Sequence, residues 1–113
     1  MNARYYLSLP DPAAVASAGP FAFRAHGAEG FAEELQAALR GDALFQRWRA
    51  AQDDPDAVDP SLGATDPAAT VVGEQVDLHI ALVATTRIGS AVLKHRMRLL
   101  AGHGWQLRDV TSA

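Results

Sequence analysis

The stretch that decides the fold is SAVLKHRMRLLAGHGW, residues 90–105. At about 100° per residue, its aliphatic side chains and that of Ile88 fill half the circumference of a helix. The pattern predicts an amphipathic helix that packs through this apolar half. Arg96 is the exception, because it falls about 80° from Ile88, near the middle of the apolar arc.

Three hypotheses account for Arg96. In the first, the arginine is a structural anchor whose guanidinium pairs with a carboxylate such as Asp77 and is completed by backbone carbonyls. In the second, the apolar arc comprises two separate faces, of which one packs on a sheet and the other on a partner subunit. Arg96 then lies at the boundary between the two faces. In the third, Arg96 lines a pocket and clamps an anionic ligand.

The residues on both sides of this helix have the period of β-strands. In TVVGEQVDLHIALVATT, residues 70–86, apolar side chains alternate with Asp77 and His79, which predicts one long strand, kinked or bulged at Gly73. WQLRDV, residues 105–110, predicts a last strand. This strand, helix, strand unit is long enough for a right-handed parallel crossover.

The N-terminal half supplies the remaining elements. Alternation in RYYLSL, 4–9, and in FAFR, 21–24, predicts two strands, with a short helical turn between them. Apolar positions at helical spacing predict a helix over 28–40 and a second one after Asp42. The segment 52–67, with three Asp-Pro pairs, predicts an irregular surface loop.

These elements predict a single α+β domain over residues 1–113. The expected order is β-β-α-α-β-α-β, with an approximately four-stranded mixed sheet and helices packed mainly on one face.

Composition restricts the class of protein. The chain has no cysteine, which excludes disulfides and thiolate chemistry, and it has no apolar run of membrane-spanning length. We expect a cytoplasmic protein, and its richness in alanine, arginine and proline is typical of bacterial proteins. The net charge of −3 is uneven, because residues 84–113 carry five basic groups against one acidic group while residues 1–83 carry five against twelve.

The basic C-terminal part contains the other candidate binding residues, which are Arg87, Lys94, His95, Arg98 and Arg108. Clustered arginine and lysine attract nucleic acid or an acidic protein. No nucleic-acid motif accompanies them, so an acidic partner or a solvated face is favoured over nucleic acid.

Catalytic and metal chemistry have weaker signals. His79 and Asp77 are two residues apart on a predicted strand, where they share a face, and they are the candidate catalytic pair. No serine lies in a recognisable nucleophile motif. The loop aspartates lack the spacing of a calcium site, so we expect no metal and no cofactor.

The sequence therefore favours a small non-catalytic module for protein interaction or regulation. Its expected partner is another protein or a second copy of the chain, with no membrane. One alternative is weak binding of nucleic acid through the basic C-terminal helix. Another is a small enzyme or anion-binding protein with Arg96, Asp77 and His79 in a pocket.

Overall fold

The computed structural model describes residues 2–113, which form four helices and four strands. The helices are α1 (Pro12–Val15), α2 (Ala28–Arg40), α3 (Ala43–Ala50) and α4 (Ser90–Ala101). The strands are β1 (Ala3–Leu9), β2 (Thr70–Val76), β3 (His79–Thr86) and β4 (Gln106–Ser112). Two short 3₁₀ turns, Pro55–Ala57 and Pro60–Gly63, lie in the loop between α3 and β2.

The four strands form one sheet in the order β2-β3-β1-β4, and every neighbouring pair is antiparallel. The predicted α+β class is confirmed. With α2 between β1 and β2 and α4 between β3 and β4, the connectivity is that of the split βαβ, or ferredoxin-like, arrangement. The predicted mixed sheet is wrong, because β3 and β4 run parallel but β1 lies between them.

The single strand predicted over 70–86 is a hairpin. β2 and β3 pair from Val76 opposite His79, so Asp77 and Leu78 form a two-residue turn. Asp77 has φ +52, which the turns of tight hairpins require at this position. The expected bulge at Gly73 is also absent, since the β2–β3 register is continuous there.

The strand predicted at 21–24 is not formed. The backbone N–H of Phe23 donates to the carbonyl of Leu100 at 2.8 Å, and those of Arg24 and Ala25 donate to the Glu34 carboxylate. Phe23 is buried and meets Phe31 edge-on, with ring centroids 5.1 Å apart. The segment therefore packs against helices α2 and α4 instead of joining the sheet.

Helices α2 and α4 cover one face of the sheet. The inward side chains of β1, Tyr5, Leu7 and Leu9, belong to one core cluster with apolar residues of both helices. Gly73 lets α2 approach β2 closely, because a Cβ at this position would collide with the carbonyl oxygen of Ala28. With its smallest extent only 19 Å, the molecule has two layers and leaves the other face of the sheet uncovered.

Candidate functional site

The uncovered side of the sheet carries a row of large side chains. Val72 pairs with Val83, Val83 with Tyr6, and Tyr6 with Asp109. Directly paired residues of antiparallel strands point to the same side. Val72 is 68% exposed, and Tyr6 and Val83 are half-buried without any helix above them. We call this side of the sheet the open face.

A second row on the open face carries opposite charges at its two ends. Glu74 pairs with Ala81, Ala81 with Ser8, and Ser8 with Gln106. Arg108 extends this row, because a β-bulge in β4 opposite Tyr6 and Leu7 leaves it as the extra residue, and its Nη1 donates to Oε1 of Gln106 at 3.0 Å. The row therefore has an acidic end on β2 and a basic end on β4, with small side chains between them.

These small side chains form the floor of a shallow depression of about 520 Å³. Asp77, His79 and Arg108 line it, together with Tyr6 and Ser8. The structure thus brings the two residues of the predicted catalytic pair to one concave surface. Arg96 does not line this surface. The described residues contain no group of three or more His, Cys, Asp or Glu arranged to hold a metal ion.

The Tyr6 phenol has polar neighbours on the open face. Hydrogen bonds with Thr111 and then Arg4 lower its pKa from the usual value, and the positive charge of Arg4 adds to this effect. An aromatic side chain has only two rotatable bonds, so it loses little conformational entropy when another surface covers it.

The hairpin turn adds an apolar tip to one end of the open face. Leu78 is 88% exposed and borders both the depression and a second concavity beside α1. A leucine at this exposure is unremarkable alone. It lines the depression together with Tyr6 and Val83, although the row with Glu74 lies between it and Val72.

Arg96 lies on the other side of the sheet, in the helical layer, where its side chain is fully buried. Its Nη1 donates to the carbonyl of Ala38 at 2.6 Å, and its Nη2 donates to those of Leu62 at 2.9 Å and Ala64 at 2.6 Å. Asp77 is on the distant hairpin turn. Among residues 2–113, no carboxylate forms an ion pair with this guanidinium.

The carbonyls that hold Arg96 explain how a buried charge is tolerated. Ala38 is in the last turn of α2, where carbonyls lack partners within the helix and the helix dipole favours a cation. Burial lowers the pKa of Arg96, and the charge of Asp42 opposes that shift. An arginine remains charged under such conditions. The contacts agree with the carbonyl half of the structural-anchor hypothesis.

The other basic candidates are dispersed. Lys94 and Arg98 are exposed on α4, whereas Arg108 lies on the open face. Arg87 lies at the end of β3, with its Nε 3.8 Å from Oδ1 of Asp66. The structure therefore does not join these four residues into one basic surface.

His95 packs against α3. Its ring meets Trp48 edge-on at 4.5 Å between centroids, and its Nδ1 is buried without a hydrogen-bond partner. Burial lowers the pKa of His95, and the charges of Arg96 and Arg98 lower it further. These contacts make His95 part of the packing between α3 and α4.

Asp66 belongs to the segment 52–67, which was predicted to be a surface loop, but its side chain is buried. Oδ2 accepts hydrogen bonds from the hydroxyl of Thr86 at 2.8 Å and from the backbone N–H of Arg87 at 3.1 Å. Oδ1 accepts from the N–H of Ala68 at 3.0 Å. These bonds lower the pKa of Asp66, led by the one from Arg87 and then that from Thr86.

The sequence did contain one signal for the open face. Tyr6 lies on the side of β1 opposite to Tyr5, Leu7 and Leu9, together with Arg4 and Ser8. A single aromatic residue on the polar side of a strand is ordinary, so it becomes informative only once its apolar neighbours on the adjacent strands are known. Val72, Glu74 and Val83 could not be placed there, because the hairpin that sets their side was not predicted.

None of the helices in the described part of the chain is long and apolar enough to cross a membrane. Comparisons of this chain with protein-family models, with curated proteins and with solved structures gave no match.

Proposed function

We propose that this protein is a non-catalytic interaction module that binds another protein surface through the open face of its sheet. One observation carries the proposal: a four-stranded sheet has helices on one side only, and the uncovered side presents the Val72, Val83 and Tyr6 row. Burying these side chains against a partner would release water from apolar surface that the fold leaves uncovered. We place the protein in the cytoplasm of a bacterial cell, on composition alone.

The two rival functions have less support. Nucleic-acid binding needs a continuous basic surface, whereas Lys94 and Arg98 lie on the helical layer and Arg108 on the open face. An enzyme or anion site would use Asp77 and His79, but Arg96 is buried elsewhere and donates to three backbone carbonyls. The remaining cation of the depression, Arg108, already donates to Gln106.

The test compares two charge-introducing variants. Val72→Asp alters the open face at an exposed position, and Lys94→Glu, on exposed α4, is the matched control. Each chain captures proteins from a nuclease-treated lysate, and each captured protein is identified and its complex rebuilt from purified components. We expect Val72→Asp to weaken the rebuilt complex by about tenfold or more, because it buries an unpaired charge, while Lys94→Glu leaves it unchanged.

Two results would contradict the proposal. If no purified protein, including the chain itself, binds in a manner that Val72→Asp weakens, the open face is not an interaction surface. If the chain captures material from an untreated lysate and nuclease treatment abolishes that capture, nucleic acid becomes the supported partner.

A further inference from the structure

We infer that the occupant of the open face is a second copy of this chain, held face to face by a two-fold axis that sets Glu74 of each copy against Arg108 of the other. This inference rests on the proposed function, because it names the partner of the same surface.

The open face is complementary to itself. In the second row, the acidic residue Glu74 lies on edge strand β2 and the basic residue Arg108 lies on the opposite edge strand, β4. The first row ends at a further acidic residue, Asp109, which is also on β4. A two-fold axis parallel to the strands, above the line between β3 and β1, places β2 of one copy over β4 of the other. Such an isologous contact forms each pairing twice. Glu74 and Arg108 therefore meet at both ends of the interface.

The same rotation sets the partners of the other side chains, and it places Val72 of each copy opposite Asp109 of the other. It places β3 of one copy over β1 of the other, so Val83 falls on the Tyr6 ring and Ala81 falls on Ser8. Because Ala81 and Ser8 face each other, the depressions of the two copies combine into one space, which the long side chains of Glu74 and Arg108 can enter from the edge strands. Two sheets packed in this aligned way lie about 10 Å apart, which the depression and the small residues allow.

The open face is small for a protein interface. Four strands spaced by about 4.8 Å, with about seven residues each at about 3.3 Å rise, cover about 440 Å² per copy. Two such faces lie at or below the lower end of the range for stable complexes. We therefore expect the dimer to be weak and to form only at high chain concentration.

The experiment reverses the two charges separately and then mixes the products. Glu74→Arg alone sets like charges together at both ends of its homodimer, and so does Arg108→Glu alone. In the mixed dimer of these two variants, both ends are complementary again. We expect sedimentation equilibrium, up to about 1 mM chain, to show that each single variant dimerises roughly tenfold or more weakly than the wild type. The equimolar mixture should regain wild-type affinity as a heterodimer.

A matched pair of variants on the helical layer controls for net charge. Glu33→Arg and Arg98→Glu make the same charge changes at exposed positions of α2 and α4. Neither variant should change the affinity of the dimer, and an equimolar mixture of the two should dimerise no more tightly than either variant alone. All four substitutions are at exposed positions, and circular dichroism verifies that each chain is folded.

Three results would overturn the inference. They are a wild-type chain that stays monomeric throughout this range, a dimer that both single reversals leave intact, and a mixture that fails to regain the dimer. The proposed function can be distinguished from this inference. A monomeric chain that binds a different purified protein, with that binding weakened by Val72→Asp, refutes the second copy and retains the interaction surface.

Discussion

Arg96 of α4 donates a 2.6 Å hydrogen bond from Nη1 to the carbonyl oxygen of Ala38, in the last turn of α2. The two residues are 58 positions apart in the chain. The other branch of the same guanidinium binds the 3₁₀ turn at Leu62 and the following Ala64. One side chain thus joins two helices and the longest loop.

Replacing Arg96 by alanine should lower the free energy of unfolding by about 3 kcal/mol or more, because it leaves three carbonyls without their donor and opens a cavity. Urea denaturation measures the change. Lys94→Ala, at an exposed position of α4, should stay within about 0.5 kcal/mol of the wild type. Equal stability of the two variants would show that Arg96 is not an anchor.

Asp66→Asn should destabilise the protein at neutral pH and remove part of its acid sensitivity. The folded-state pKa of Asp66 lies below its unfolded value of about 3.8, so its contribution is present above that pH and is lost as pH falls through the folded pKa. Melting temperatures from pH 7 to pH 2 should therefore differ most at neutral pH and converge in acid. Asp53→Asn, in the exposed part of the loop, should follow the wild type throughout.

Glu34→Ala should release the segment that Phe23 anchors. The Glu34 carboxylate accepts backbone N–H groups of Arg24 at 2.9 Å and Ala25 at 2.6 Å. Amide hydrogen exchange at these two residues should become roughly tenfold faster, since local opening no longer breaks a charged hydrogen bond. The exposed neighbour Glu33, changed to alanine, should leave both rates unaltered.

Gly73→Ala should destabilise the protein by about 1–3 kcal/mol, because the new methyl group has to push α2 away from β2. Thermal unfolding followed by circular dichroism tests this. Gly41→Ala is the comparison, because a Cβ there would meet only the Ala37 carbonyl at 3.8 Å, an ordinary contact. A Gly73→Ala chain as stable as the Gly41→Ala chain would contradict the close approach.

Helices α2, α3 and α4 could be predicted from sequence because their apolar side chains recur at helical spacing and fall in one arc. The predicted span 28–40 is observed as Ala28–Arg40, and the arc around Leu93 and Met97 is buried in α4. Arg96 was recognised as anomalous for the same reason. Its partners were not predictable, since they are backbone carbonyls whose positions depend on the tertiary fold.

The strands were harder to predict because alternation alone does not reveal a turn. In a single strand, Val76 and Ile80 would share a side, but the Asp77 and Leu78 turn puts Val76 on the open face and Ile80 in the core. The turn lacks the Asn-Gly or Asp-Gly signal of tight hairpins. Without it, the charges of Glu74 and Arg108 could not be assigned to opposite edges of one face.

The bulge in β4 has a further consequence for how copies of this chain meet. It interrupts the regular series of free backbone N–H and C=O groups along an outer strand of the sheet. A strand shaped in this way is a poor template for adding the strand of another molecule. The bulge therefore opposes open-ended fibre growth from this side of the molecule, and it leaves the open face available for the proposed two-fold pairing.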